Sequence, residues 1–305
     1  MKFLSFIEQA MPRLGLLTED DTVIDLTAML AASPDHRLPF MPANVSELIA
    51  LGEPGMRAVS ACLDRHLDAG QSGLKLADVQ IAAPLLMKKN VFCVGRNYRD
   101  HIIEGNLARG RPADQFPTAI EFFTKPPTAV VGHLAKVRRH ADLTDSLDYE
   151  AELAIVIGRR GCDISRDAAL DHVFGYTIVN DITARDLQQR HGQWFKGKGL
   201  DTSCPMGPVV VHRSAIPNAN DLAISLTVNG ELRQSDNTAS MIFDVPAIIE
   251  QLSAGMTLEP GDVIATGTPK GVGFAMTPPV CLQPGDVVSA TVQHIGTLTN
   301  TLSKE

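Results

Sequence analysis

Apolar positions in this 305-residue chain fall mainly in short runs bounded by Gly, Pro, Asn or Asp. Runs of that length rich in β-branched residues predict strands, here at 91–94, 121–124, 129–131, 151–157, 175–179, 208–211, 224–228, 263–266 and 287–292. Helical spacing is confined to fewer places: 98–104, 166–173, 184–189 and 245–252. The last follows Asp244 and carries Pro246 in its first turn, and both residue types favour a helix start. Nearer the amino terminus, short strands at 2–7, 14–18 and 22–26 precede a mostly helical stretch at 45–67, interrupted near Gly52-Glu53-Pro54-Gly55. The polar, turn-rich Gly70-Gln71-Ser72-Gly73 then reads as a linker. The expected architecture is α+β and strand-dominated, with a small N-terminal α+β domain over 1–72 and a larger domain over 73–305. Leu258-Glu259-Pro260-Gly261-Asp262-Val263-Ile264 is echoed by Leu282-Gln283-Pro284-Gly285-Asp286-Val287-Val288. Two copies do not make a solenoid; they predict two similar Pro-Gly turns feeding strands at a sheet edge.

Polar residues intrude on this pattern most tellingly at Glu150 and Glu152, which open the run Leu153 to Ile157. Residues two apart on a strand point the same way. The run that follows is uninterrupted, as in a strand covered on both faces. Burying either carboxylate unpaired there would cost several kcal/mol. Asp181 stands at the carboxyl end of a second apolar run, Phe174 to Val179. Three carboxylates from two strand ends suit a hard divalent cation such as Mg²⁺ or Mn²⁺, and suit zinc less well.

A net charge of -8 and a pI near 5.6 argue against nucleic acid as a partner, since phosphates require clustered Lys and Arg. Charged residues at 20% and hydrophobic ones at 44% are ordinary for a globular protein. The opening Met1-Lys2-Phe3-Leu4-Ser5-Phe6-Ile7 mimics a signal peptide, but Glu8 ends its apolar run early. No stretch approaches a membrane span. Cys62, Cys93, Cys162, Cys204 and Cys281 are scattered and form no Cys-x-x-Cys pair. These features suggest a cytoplasmic protein in a reducing compartment, with no membrane partner and no nucleophilic cysteine.

His101 and Glu104 follow the strand at 91–94 and become neighbours if the segment is helical. A carboxylate beside an imidazole fixes its tautomer and raises its basicity, as a general base requires. The Gly267-Thr268-Pro269-Lys270-Gly271-Val272-Gly273 loop lacks the spacing of a nucleotide-binding loop, and the chain has no Gly-x-Ser-x-Gly elbow.

Five stretches, 95–104, 123–132, 148–153, 180–188 and 267–273, occur in the order found in one family. Over roughly 86–300 the chain resembles the fumarylacetoacetate hydrolase family, and the small amino-terminal unit is typical of its bacterial members. The resemblance implies a mixed β-sandwich-like roll with flanking helices, assembled as a homodimer. It implies that Glu150, Glu152 and Asp181 ligate Mg²⁺ or Mn²⁺ and that His101 and Glu104 form a water-activating dyad. Lys198 resembles the family's active-site lysine, with Lys196 a nearby alternative. Arg185 and Gln188 match polar residues near the substrate, Thr268 sits in the loop expected to hold its carboxylate, and Arg96, Asn97 and Tyr98 are expected to shape the pocket. The stretch 105–117 departs from shorter members by its length and by Arg109 and Arg111. In this family it behaves as a lid, so either arginine could meet a distal carboxylate; a solvated loop is the alternative.

On this pattern the favoured chemistry is hydrolysis of a carbon-carbon bond in an acylpyruvate, a small 2-oxo acid. His101 would activate water, Lys198 and Gln188 would stabilise the oxyanion, and the metal would chelate the 1-carboxylate and 2-oxo oxygens. Decarboxylation of oxaloacetate, or isomerase or lyase chemistry on 2-oxo acids, would use the same chelating half of the site. A metabolite-binding protein without turnover is a third reading.

Overall fold

A computed structural model describes residues 1–33, 38–68 and 73–304 of the chain. Residues 70–72 of the expected linker, and with them the expected boundary at 72, lie outside the described residues. Strand Ala151–Ile157 runs through the middle of a 12-stranded sheet, antiparallel both to Val173–Asn180 and to Val263–Ala265. Beyond Val263–Ala265 the sheet continues with Val91–Gly95, paired in parallel, and ends on Glu121–Lys125. On the other side Val173–Asn180 pairs with Cys204–His212, which in turn pairs with the amino-terminal strand Lys2–Glu8. The amino-terminal strands therefore extend the same sheet.

A five-stranded sheet, in the order Glu231–Asn237, Ala223–Val228, Val287–Val292, Gly296–Leu302 and Lys136–Val137, faces the large one. Leu153, Ile155 and Ile157 point into the core between the sheets with Leu226, Val288, Ala290 and Leu298. Ala154 and Val156, one residue out of phase, join Phe3, Leu14, Leu30 and Leu48 on the opposite face. That two-sided covering explains why the run shows no polar alternation and why all seven of its residues are buried. Full burial of each Leu, Ile or Val side chain contributes about 1.5–3 kcal/mol, so the strand that carries the carboxylates is among the most strongly anchored in the molecule.

The echoed turns adopt the same geometry. Gly261 and Gly285 have φ of +92° and +94°, the conformation a type II turn demands after proline. Asp262 accepts from Glu259 N at 2.8 Å, and Asp286 accepts from Gln283 N at 2.7 Å. One turn feeds the large sheet and the other the small sheet.

Two expectations need correction. The segment expected as a helix over 166–173 is a 3₁₀ run, Arg166–His172. Strands Glu231–Asn237 and Gly296–Leu302 are additional to those expected. The first has a single apolar residue, the exposed Leu232, and lies at a sheet edge, so it shows no apolar pattern; its signal is the preceding Asn229-Gly230, whose φ of +53° and +80° make the tight turn of a hairpin. The second hides its alternation behind buried Asn300, whose amide donates to Gly132 O and Ala135 O. No helix among the described residues is long and apolar enough to cross a membrane.

Candidate active site

Strand register brings the three acids together. Ala151 pairs with Asn180 and Glu152 with Val179, so Glu150 and Asp181 meet just past the end of the ladder. There Asp181 N donates to Glu150 O at 2.8 Å, and Glu150 N donates to the Asn180 side chain at 3.0 Å. Oxygens of Glu150, Glu152 and Asp181 lie within 4.8 Å of one another, and all three residues are buried. An octahedral ion with bonds of ~2.1 Å spans ~4.2 Å between opposite ligands, so the spacing suits a single cation.

The cluster is built from opposing charges. Lys198 Nζ lies 2.6 Å from both Glu150 Oε2 and Asp181 Oδ2. Lys125 Nζ donates to Asp181 Oδ1 at 2.6 Å and to Ile182 O at 2.9 Å. Arg185 reaches Asp148 at 2.9 Å and Glu150 at 2.6 Å. Four carboxylates thus face three cations, leaving one net negative charge in the buried group. Glu152 carries that excess: among the described residues its side chain accepts one hydrogen bond, from Gly267 N at 2.8 Å. Burial, then Asp181 and Glu150, push its carboxyl well above the ordinary range. Burial would also raise Glu150, but Arg185 and Lys198 outweigh it and hold that carboxyl low. An all-oxygen donor set with uncompensated negative charge can accept a divalent cation, so the residues present fit the metal that the sequence implies.

A cavity of about 600 Å³ opens over this cluster, and helix Arg99–Ala108 forms part of its wall. His101 lines it, with Nδ1 3.6 Å from Glu104 Oε2 and without a hydrogen-bond partner among the described residues. Glu104 is itself held by Gly271 N, at 3.0 and 3.1 Å to its two oxygens. Gly271 has φ of +103°, and a Cβ there would come 2.0 Å from Arg233 O, so the loop that orients Glu104 requires glycine. Helical spacing does bring His101 and Glu104 together, although short of hydrogen-bond contact.

The remaining expected site residues separate into two groups. Glu150, Glu152, Arg185, Gln188, Lys198, Thr268, His101 and Arg96 line the cavity. Asp181 lies directly beneath it, fully buried. Lys198 is buried and Lys196 exposed, which resolves the choice between them. Asn97 and Tyr98 stand behind the wall: the Asn97 amide ties Phe243 to Thr266 through both backbones, and the Tyr98 hydroxyl is buried without a partner among the described residues. Arg96 is committed to Glu121, with Nε 2.6 Å from one carboxylate oxygen and a second contact to the other. Thr268 Oγ1 accepts from Gln234 at 2.8 Å. Sequence reasoning assigned no role to Lys125, since a lysine ending a strand ordinarily points to solvent.

Residues 90–303 match the family model described as fumarylacetoacetate (FAA) hydrolase C-terminal. The chain is 48% identical over 291 residues, 94% of each chain, to oxaloacetate tautomerase YisK of Bacillus subtilis. Among solved structures it is similar to a fumarylacetoacetate hydrolase from Exiguobacterium antarcticum, at 40% identity, TM-score 0.80 and full coverage of both chains. It is also similar to maleylpyruvate hydrolase from Sphingobium sp. SYK-6, in complex with manganese (II) ion and pyruvate, at 29% identity, TM-score 0.76 and 99% coverage of each chain.

Proposed function

Because the chain belongs to the fumarylacetoacetate hydrolase family, we propose that this enzyme interconverts the keto and enol forms of a 2-oxo acid, with oxaloacetate the first candidate substrate. The observation that carries this reading is the 48% identity to an oxaloacetate tautomerase over 94% of both chains. It exceeds the 29% shared with the maleylpyruvate hydrolase, so the isomerase alternative displaces acylpyruvate hydrolysis as the leading reaction. Both reactions pass through an enolate, which is why the same residues suggested both.

Glu150, Glu152 and Asp181 would hold Mg²⁺ or Mn²⁺, which when bound would supply a positive charge that draws electron density from the oxygens of a 2-oxo acid. Lys198, kept charged by Asp181 and Glu150 against the opposing effect of burial, donates toward oxygen where negative charge develops. Gln188, at the cavity wall, is oriented by Arg185 at 3.3 Å and offers its amide to the same region. His101 takes a proton from C3 and delivers it to the oxygen at C2 of the enolate to give the enol, and the reverse transfer gives the keto form. Glu104 faces Nδ1, and contraction of the 3.6 Å gap would fix a proton there and leave Nε2 basic. Enolisation needs one base that takes and returns a proton and no water at C4, so the pair suffices.

The test follows equilibration of freshly dissolved oxaloacetate by its enol absorbance, with Mg²⁺ and then with a chelator, while pyruvate is assayed in parallel. Metal-dependent acceleration without pyruvate supports tautomerisation. No acceleration, combined with cleavage of an acylpyruvate to pyruvate and an acid, would return the assignment to hydrolysis.

A further inference from the structure

Four arginines line the cavity: Arg96, Arg109, Arg111 and Arg185. Arg185 is taken by Asp148 and Glu150, and Arg96 by Glu121. Among the described residues neither Arg109 nor Arg111 has a carboxylate within ion-pair reach. Arg109 is nevertheless held in place. Its guanidinium packs 4.7 Å over the ring of Phe274, the ring that also meets Arg185 at 4.4 Å, and Nη1 donates to Gly105 O at 3.3 Å. Gly105 leaves room for this path, since a Cβ there would sit 3.2 Å from Nη1.

The chain carrying these arginines is folded onto the helix rather than loose in solvent. Arg109 N and Arg111 N both donate to Asn106 O, at 3.1 and 2.8 Å, and the Asn106 side chain donates to Gln115 O at 3.0 Å. A guanidinium has five N–H donors in a planar fork, and here one is spent. Burial, then Arg185 and Arg111, disfavour its charge, a cost that a bound anion would relieve. The cavity thus has one end lined by carboxylates with an excess of negative charge and, at the lid helix, a positioned cation without a counter-ion.

We propose that Arg109, assisted by Arg111, is a specificity-determining residue that receives the second carboxylate of a 2-oxo dicarboxylic acid. This inference rests on the 2-oxo acid reading above and deepens it. The substrate is oriented by charge at both ends: its 2-oxo carboxylate end faces the acidic cluster and its cation, and its far carboxylate faces the lid arginines. A 2-oxo acid without the far charge leaves Arg109 without a counter-ion, and is disfavoured.

The experiment compares oxaloacetate with its 4-methyl ester, on the Mg²⁺-loaded full-length protein and its R109Q and R109K variants. Tautomerisation rates give kcat/KM, and calorimetric titration with the equilibrated ligands gives affinity independently of turnover. One charge-assisted, bidentate contact corresponds to a diacid-to-ester preference of about 10–100-fold, lost in R109Q and largely lost in R109K, which keeps the charge but not the fork. Loss of that ratio in both readouts supports the assignment. If oxaloacetate is not tautomerised but the ratio of affinities still depends on Arg109, the subsite stands and the proposed reaction falls. A diacid-to-ester ratio of affinities that R109Q leaves unmoved, even where both affinities drop together, overturns the subsite.

Discussion

Lys125→Met removes a fully buried ammonium that lies 2.6 Å from Asp181. Breaking a buried pair by deleting one partner costs about 3–5 kcal/mol, because the other charge is left without compensation. Asp181 keeps Lys198 on its second oxygen at 2.6 Å, so the low end, about 3 kcal/mol, applies. At roughly 2–4 °C per kcal/mol for a chain of this order of size, Tm should fall by about 6–12 °C in the presence of a chelator. Mg²⁺ changes the comparison. With Lys125 gone the cluster holds four carboxylates and two cations, so a divalent ion compensates more charge in the variant than in the parent. Saturation at about a hundredfold excess over Kd stabilises by about 2.7 kcal/mol. The parent gains this term as well, so the deficit in Tm should shrink by the difference in affinity alone, about 1.4 kcal/mol for each tenfold tighter binding by the variant, as read by thermal denaturation of both proteins in both buffers. A variant as stable as the parent in chelator, or a deficit that Mg²⁺ leaves untouched, would refute the view that Lys125 balances the charge of the metal-binding acids.

Two further outcomes follow from the same charges. Lys198→Met should lower turnover by about 10²–10³-fold, the usual cost of deleting a donor to a developing oxyanion, whereas Lys196→Met, on an exposed side chain, should stay within about twofold; steady-state rates with both variants decide this. The Glu152 carboxyl, raised above its unfolded value by burial, Asp181 and Glu150, makes the cation-free fold retain a proton that the unfolded chain has released. Above the ordinary carboxylate range this term makes stability decline as pH rises toward the raised value, opposite to Glu150, whose depressed carboxyl adds stability above its unfolded range and loses it in acid. Mg²⁺ must displace the Glu152 proton, so titration in buffers of different ionisation enthalpy should show proton release, and affinity should rise with pH; binding without proton exchange would contradict the assignment.

Much of the fold was legible because its central strands are buried on both faces. Ala151–Ile157 and Val173–Asn180 announce themselves as apolar runs, and carboxylates flanking or ending such runs have few explanations other than a cation. Glu231–Asn237 was illegible for the converse reason: its one buried side chain is the polar Gln234, so no apolar run marks it and the hairpin turn was its signal. The strand pattern singled out the triad before the family resemblance implied its role, and the structure adds how register assembles it, with Asp181 joined to Glu150 by a backbone hydrogen bond. Lys125 was invisible as a site residue because a lysine ending a strand ordinarily points to solvent. Asn97 illustrates the reverse: lying in a recognisable motif, it turns out to brace Phe243 and Thr266 behind the cavity wall.

The two ends of the cavity are incomplete in opposite senses, and that opposition explains why a small anion would bind in one orientation. The acidic end holds one more carboxylate than cation, so a divalent ion bound there with loss of the Glu152 proton would leave it net positive and attractive to a carboxylate with its adjacent oxo group. The end at Arg109 has its acid already matched, since Glu121 is consumed by Arg96, which leaves Arg109 for an external partner. Reversing a diacid would still place one carboxylate at each end, so charge alone cannot choose the direction. The oxo group breaks the tie: a cation prefers a carboxylate with a neighbouring carbonyl oxygen to a carboxylate alone, whereas a guanidinium fork matches a carboxylate alone. On the proposed reading, cation and arginine together would orient the acid with C3 between them, where His101 borders the same cavity.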